Sequence, residues 1–98
     1  MCFVFCCLQK YGVQVYFSGH DHNLEYIKVP DQTTHYIISG AGSKCDRPFI
    51  SSTNAVFQWQ SSGFVTVKLK ADSMDCNFYS IEDNAAAPVY TLVVPRVP

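Results

Sequence analysis

The sequence contains few charged residues and no cluster of positive charge. Charged side chains make up 15% of the 98 residues, and the formal net charge is −1. Binding to nucleic acid or to an anionic membrane relies on clustered Lys and Arg, so the sequence predicts neither partner. No apolar run reaches the roughly 18 to 20 residues that a membrane-spanning helix needs, which excludes a span of that kind.

The N-terminus lacks the marks of a secretory leader. The apolar start, from Met1 to Leu8, has no basic region before it and runs into Gln9-Lys10-Tyr11-Gly12 without a small-residue cleavage site. A signal peptide needs both features. We therefore expect this segment to be a short helix or strand packed inside a protein.

The cysteines form no recognisable framework. Their odd number leaves at least one free thiol, and their spacing matches no zinc-binding pattern. They are Cys2, Cys6, Cys7, Cys45 and Cys76. We expect buried or incidental thiols, with a disulfide or a metal-binding role as the alternative.

The rest of the composition predicts one small folded unit made mostly of β-strands. A hydrophobic content of 48% with 14% aromatic residues favours a folded chain over a disordered one. Apolar patterns predict strands at 13–17, 24–29, 35–39, 64–70, 76–81 and 89–94. The stretch from Ser43 to Gly63 is polar and irregular, and no helix beyond a possible N-terminal stub is expected. In the 64–70 strand, alternation places Val65, Val67 and Leu69 on the buried face.

The stretch with the most candidate ligands is Gly19-His20-Asp21-His22-Asn23, which follows the first predicted strand. We expect it to be a loop between hairpin-forming strands. Imidazole is the commonest side-chain metal ligand, and two rings on one turn can bind one ion or be shared between two. Gly19 allows the sharp turn that brings the rings together. His35 lies on a predicted strand and is interpreted as an ordinary hydrogen-bonded or exposed histidine. A His-x-His pair alone is a weak signal, so the flanking residues must decide.

The flanking motifs occur in a distinctive order. Tyr11-Gly12-Val13 is followed by Tyr16-Phe17-Ser18-Gly19-His20-Asp21-His22-Asn23-Leu24, then by Tyr36-Ile37-Ile38-Ser39-Gly40-Ala41-Gly42. Later come Gly63-Phe64-Val65 and Leu92-Val93-Val94-Pro95-Arg96. In this order the motifs closely resemble the C-terminal part of purple acid phosphatases, above all the small tartrate-resistant type. The resemblance covers nearly the whole chain from Lys10 onward.

The resemblance carries expectations about fold and activity. It implies an α+β fold that is mostly β in this piece, the C-terminal part of a four-layer α/β/β/α sandwich. Residues 1–98 would be one fragment of a calcineurin-like metallophosphoesterase domain. The family is a hydrolase family: a ferric ion and a divalent ion of iron, zinc or manganese act on phosphomonoesters through a metal-bound hydroxide. A secreted or lysosomal location is also implied.

The same resemblance assigns roles to four residues. It implies that His20 binds the divalent ion and that His22 binds the ferric ion. Asp21 and Asn23 match positions that orient the ligands.

The family's other metal-binding motifs are missing from the sequence. No Gly-Asp pair and no Asn-His pair occurs in the chain, so the bridging carboxylate, the tyrosinate, the asparagine ligand and a third histidine ligand are absent. Two imidazoles cannot hold two ions, because each ion needs about four or more ligands. We therefore expect the isolated chain to have no catalytic residue of its own, to bind no metal stably and to be inactive. We also expect exposed aromatics and unpaired strand edges to make it aggregate.

Two alternatives remain open at this point. In the first, the chain is a small metal-binding module in which His20 and His22 join His35 or a cysteine around one zinc ion. In the second, it is a purely structural β-rich interaction domain whose histidines are ordinary surface groups.

Overall fold

A computed structural model describes residues 7–19, 23–42, 54–82 and 86–97 of the chain. These residues form a short helical turn at 7–10 and seven strands. The strands are β1 (Val15–Ser18), β2 (Leu24–Lys28), β3 (His35–Ser39), β4 (Ala55–Trp59), β5 (Gly63–Leu69), β6 (Ser73–Ser80) and β7 (Tyr90–Pro95). The predicted class, mostly β in this piece, is confirmed.

The first four strands form one sheet in the order β1-β3-β2-β4. β2 and β3 pair antiparallel as a hairpin, β4 pairs antiparallel with the other side of β2, and β1 pairs parallel with β3. The side chains of Leu24, Glu25 and Tyr26 on the central strand β2 are all buried. Both faces of β2 are therefore covered at the end where the strand begins.

The last three strands form a second, antiparallel sheet in the order β5-β6-β7. The two sheets pack face to face around one core, in the manner of a β-sandwich. The first sheet and the loop after β3 contribute Leu24, Tyr26, Ile37 and Ala41, and the second sheet contributes Cys76, Phe78, Leu92 and Val94. Burial raises the pKa of the Cys76 thiol, with a smaller contribution from the Asp75 carboxylate. This cysteine is therefore a core residue, as expected.

Gly63, at the start of β5, is hydrogen-bonded to the loop after β3 and lies very close to the backbone of β6. The amide of Gly63 donates a hydrogen bond to the carbonyl of Ala41, at 3.0 Å. A Cβ on Gly63 would lie 2.1 Å from the carbonyl oxygen of Tyr79 and 2.9 Å from Cδ1 of Leu24. Only glycine fits here.

Two expectations about strands are wrong. The stretch expected to be irregular contains β4, which pairs with β2 and places Phe57 and Trp59 against the core. The loop that carries the histidines was expected between strands that pair as a hairpin. Instead β1 and β2 are separated by β3, because the hairpin forms between β2 and β3.

The expected burial of one face of β5 is only partly correct. Val65 packs against the core, whereas Val67 is 45% exposed and Leu69 is 74% exposed. β5 is an edge strand of the second sheet, and the second half of its apolar face lies uncovered. Phe17 on β1 is also exposed, because β1 is an edge strand.

Candidate functional site

The described ends of the connection between β1 and β2 lie at the carboxyl end of β3. Because β1 is parallel to β3 and β2 is antiparallel to it, Ser18 at the end of β1 and Leu24 at the start of β2 lie at the same edge of the sheet. A Cβ on Gly19 would lie 3.7 Å from the carbonyl oxygen of Ser39. Both ends of the connection are therefore adjacent to the end of β3.

Asn23, at the end of this connection, is held by its main chain and by its side chain. The amide of Gly40 donates a hydrogen bond to the Asn23 carbonyl, at 3.1 Å. The Nδ2 group of Asn23 donates to Oε1 of Glu25, also at 3.1 Å. Both side chains are 7% exposed. The Oδ1 atom of Asn23 is buried and has no hydrogen-bond partner; it is the one such side-chain atom in the part of the chain that the structure describes.

His35 lies away from this edge of the sheet. Its Nδ1 shares a 2.6 Å hydrogen bond with the hydroxyl of Tyr26, and the two rings stack with centroids 5.7 Å apart. In the β2–β3 register His35 pairs with Lys28, whereas Leu24 pairs with Ser39. Four residues of strand, about 13 Å, thus separate His35 from the end of β3 next to Asn23. The expectation of an ordinary hydrogen-bonded histidine agrees with this geometry.

His20, Asp21 and His22 lie outside the described residues. Within residues 7–19, 23–42, 54–82 and 86–97, no group of three His, Cys, Asp or Glu side chains is placed to hold a metal ion. In those ranges there is also no helix long and apolar enough to cross a membrane. The roles expected for the two histidines and for Asp21 therefore stay predictions.

The donor set of this chain fits part of a dinuclear metal centre and not the whole of it. The two imidazoles are suitable ligands, and Asn23, which follows His22 in the sequence, has a buried Oδ1 acceptor without a hydrogen-bond partner among the described residues. Two ions need about eight or more ligands between them. The residues of this chain do not supply that number.

Sequence comparison identifies the relatives of the chain. No protein-family model matches it. Purple acid phosphatase 4 of Arabidopsis thaliana is 30% identical over 81 residues, which cover 80% of this chain and 24% of the relative. The chain is a relative of the purple acid phosphatases. The predicted resemblance to this family is confirmed.

Other purple acid phosphatases match over a similar or shorter stretch. Purple acid phosphatase 3 of A. thaliana is 31% identical over 76% of this chain. Tartrate-resistant acid phosphatase type 5 of the rabbit, Oryctolagus cuniculus, is 49% identical over 39 residues, which cover 40% of this chain and 12% of the relative. The chain spans about a quarter or less of the length of the curated relatives that it matches.

A solved structure shows that the fold belongs to a larger architecture. The structure of GAP50, the anchor in the inner membrane complex of Plasmodium, superposes with a TM-score of 0.86. The superposition covers 99% of this chain and 30% of that chain, at 22% sequence identity. At this identity the similarity shows the fold alone. The two sheets of this chain are therefore a β-rich piece of a larger fold.

Glu25 is a residue of the site that the sequence patterns did not single out. It is a carboxylate between the apolar residues Leu24 and Tyr26 of β2, and it is buried. Every second residue of a strand faces water when one face of its sheet is exposed, so the sequence alone gives no reason to expect a charged residue at this position to be buried. The signal was the position of Glu25 two residues after Asn23, which puts both side chains on one face of β2.

Proposed function

We propose that this chain forms the His20–His22 side of a dinuclear metal centre in an acid phosphatase that hydrolyses phosphomonoesters. The observation that carries the proposal is the sequence match to purple acid phosphatases over 80% of the chain. The geometry at Asn23, the residue after His22 in the sequence, supports it, because its buried Oδ1 is an acceptor without a hydrogen-bond partner among the described residues.

In this proposal His20 binds a divalent ion of iron, zinc or manganese, and His22 binds a ferric ion. A dinuclear centre supplies Lewis acidity toward phosphate oxygens and activates water. The chain's own part is to hold the two rings at the edge of the first sheet, with Asp21 and Asn23 orienting them. The substrate would be a phosphomonoester, without a nucleic acid or membrane partner. A secreted or lysosomal location is part of the same proposal.

We further propose that residues 1–98, taken alone, are one fragment of the metallophosphoesterase domain and have no turnover. The remaining ligands of such a centre are absent from the sequence. Pure chain supplied with Fe³⁺ and Zn²⁺ should therefore not hydrolyse p-nitrophenyl phosphate above the rate of metal ions alone. Hydrolysis that saturates with substrate and is lost in His20→Ala would contradict this part of the proposal.

A chimera tests whether the histidines act in a complete centre. Residues 11–42 of this chain would replace the corresponding stretch of rabbit tartrate-resistant acid phosphatase type 5, and hydrolysis of p-nitrophenyl phosphate would be measured. We expect activity in the chimera and a loss of more than about a hundredfold in His20→Ala or His22→Ala, since even groups that only orient ligands are worth about 10- to 100-fold.

His35→Ala in the same chimera is the matched control, because it removes an imidazole that lies about 13 Å along the hairpin from the site. It should retain most of the activity. A folded chimera in which all three histidine variants are equally active would overturn the assignment of His20 and His22. Calorimetric titration of the isolated chain with zinc distinguishes the proposed function from the alternative of a small module that binds one zinc ion. Stoichiometric binding that is abolished by His35→Ala would favour the alternative.

A further inference from the structure

One side of the β-sandwich is apolar and exposed. This open side is formed by Tyr16 and Phe17 of β1 and by Val67 and Leu69 of β5. We propose that it is the interface with the part of a purple acid phosphatase that this chain does not span, and that a strand of that part adds to the free edge of β1. Neither His20 nor His22 enters this proposal.

The edge strand β1 is exposed on both of its faces. Val15 packs against the core, and Phe17, two residues later, lies on the same face of the strand. Phe17 is nevertheless 46% exposed, and Tyr16 on the opposite face is 38% exposed. Among the described residues β1 pairs with β3 alone, and the two strands are parallel. Parallel strands are ordinarily covered on both faces, so β1 resembles an interior strand that lacks one neighbour.

Two hydrogen bonds between the sheets show how β1 and β3 cross the second sheet. Gln14, just before β1, donates from Nε2 to the carbonyl of Pro95 at the end of β7, at 2.7 Å. Gly63, at the start of β5, donates to the carbonyl of Ala41 after the end of β3, at 3.0 Å. The parallel pair of β1 and β3 therefore runs diagonally, from the end of β7 toward the start of β5.

This diagonal leaves one corner of the second sheet uncovered. On one side of it, the ring of Tyr26 on β2 lies 6.1 Å from the ring of Tyr90, where β7 begins. β1 lies on the other side of β3 from β2, next to the corner that contains Val67 and Leu69 at the end of β5. A strand added to β1 at the usual spacing of about 4.8 Å would lie over this corner. One neighbour would thus cover both Phe17 and Leu69.

The comparisons indicate which partner supplies this neighbour. The sandwich superposes over 99% of its length on the GAP50 structure and covers 30% of that chain, which leaves 70% of that chain outside the shared fold. The match to purple acid phosphatase 4 likewise covers only 24% of the relative. The same fold thus exists inside chains that have ample further length to extend the first sheet. We therefore assign the open side to that further part and not to a second copy of this chain.

The test places the same substitutions in two settings. One is the isolated chain, and the other is a chimera in which this chain replaces the corresponding C-terminal stretch of A. thaliana purple acid phosphatase 4. Leu69→Lys should not lower the melting temperature of the isolated chain, because Leu69 is 74% exposed there. In the chimera the lysine would be buried without a partner, so the melting temperature should fall by more than about 5 °C. Phe17→Lys should show the same contrast.

Val56→Lys is the matched control. Val56 is 54% exposed on β4, at the opposite edge of the first sheet, so lysine there should have little effect in either setting. A chimera in which Leu69→Lys and Phe17→Lys cost no more than Val56→Lys would overturn the proposal. A wild-type chimera that does not fold would overturn it as well, because the open side would then not fit the rest of such a domain.

Two further outcomes separate this proposal from its neighbours. An insensitive chimera, together with a discrete dimer of the isolated chain that Leu69→Lys dissociates, would assign the open side to a second copy and overturn the proposal. A folded chimera that shows the expected contrast but does not hydrolyse p-nitrophenyl phosphate would contradict the proposed function and support the interface.

Discussion

Tyr26 and His35 lie on the neighbouring strands β2 and β3 and share a hydrogen bond of 2.6 Å between the phenol oxygen and Nδ1. Burial raises the pKa of Tyr26, with a smaller contribution from Tyr90. Burial, followed by the positive charge of Lys28, lowers the pKa of His35 below its ordinary value of 6.5. At neutral pH both groups are therefore neutral, and the tautomer of His35 decides which of the two donates the hydrogen bond.

Tyr26→Phe should destabilise the chain. The substitution removes one hydrogen bond and keeps the ring, so a loss of about 0.5 to 1.5 kcal/mol in the free energy of unfolding is expected. Urea unfolding followed by circular dichroism measures it. Tyr11→Phe is the control, because Tyr11 is 72% exposed and its hydroxyl is available to water. Equal stabilities of the two variants would show that the Tyr26–His35 bond contributes nothing net.

The free energy of unfolding should decrease as the pH falls below about 6.5. Because the pKa of His35 is lower in the folded chain than in the unfolded chain, the unfolded chain binds the proton more readily. The stability contributed by neutral His35 is thus fully present above the unfolded pKa and is lost as the pH falls toward the folded one. His35→Gln removes this titration, so its urea midpoint should decline less between pH 7.5 and pH 5.5 than that of the wild type. A parallel decline in both chains would contradict the prediction.

Gly63→Ala should be strongly destabilising. The new methyl group would lie 2.1 Å from a backbone oxygen of Tyr79, which cannot move without breaking the β5–β6 pairing. We expect a loss of about 1 to 3 kcal/mol or more. Gly42→Ala is a matched control, since nothing lies within 4 Å of a Cβ at that position. Thermal unfolding of the two variants compares them, and a Gly63→Ala chain as stable as Gly42→Ala would show that the β5–β6 pairing can adjust at little cost.

Self-association should depend on the uncovered half of β5. Leu69 is 74% exposed and Val67 is 45% exposed on one face of this edge strand. An exposed apolar edge strand favours pairing with another chain, and a lysine there disfavours it. Leu69→Lys should therefore reduce the oligomers seen by sedimentation velocity. Thr66→Lys adds the same charge on the opposite face of β5 and should reduce the amount of oligomer less. An equal reduction in both variants would show that net charge, and not the apolar face of β5, controls self-association.

The strand pattern was predictable wherever apolar alternation was uninterrupted. His35–Ser39 was predicted with its observed bounds, and β5 was displaced by a single residue. β4 was missed because its five residues follow a polar run, although Phe57 and Trp59 alternate with Gln58. Alternation in β5 identified an apolar face, yet it carried no information on whether another layer covers that face. Coverage depends on how far the two sheets overlap.

The pairing of β1 with β3 could not be inferred locally. It joins residues twenty positions apart in a parallel arrangement, as in Val15 opposite His35. This pairing brings the end of β1 next to the loop after β3. The histidine motif was evident from the sequence, but the support at Asn23 was not. The bond from Gly40 depends on the hairpin, and the bond to Glu25 depends on a strand whose two faces are both buried.

The position of the single tryptophan gives the chain an intrinsic fluorophore close to the candidate site. Trp59 pairs with Leu24, the residue after Asn23, and its ring stacks on Phe57 with centroids 5.8 Å apart. Indole emission responds to the polarity and rigidity of its surroundings. Binding of a metal ion by His20 and His22 would therefore be followed optically without any added label.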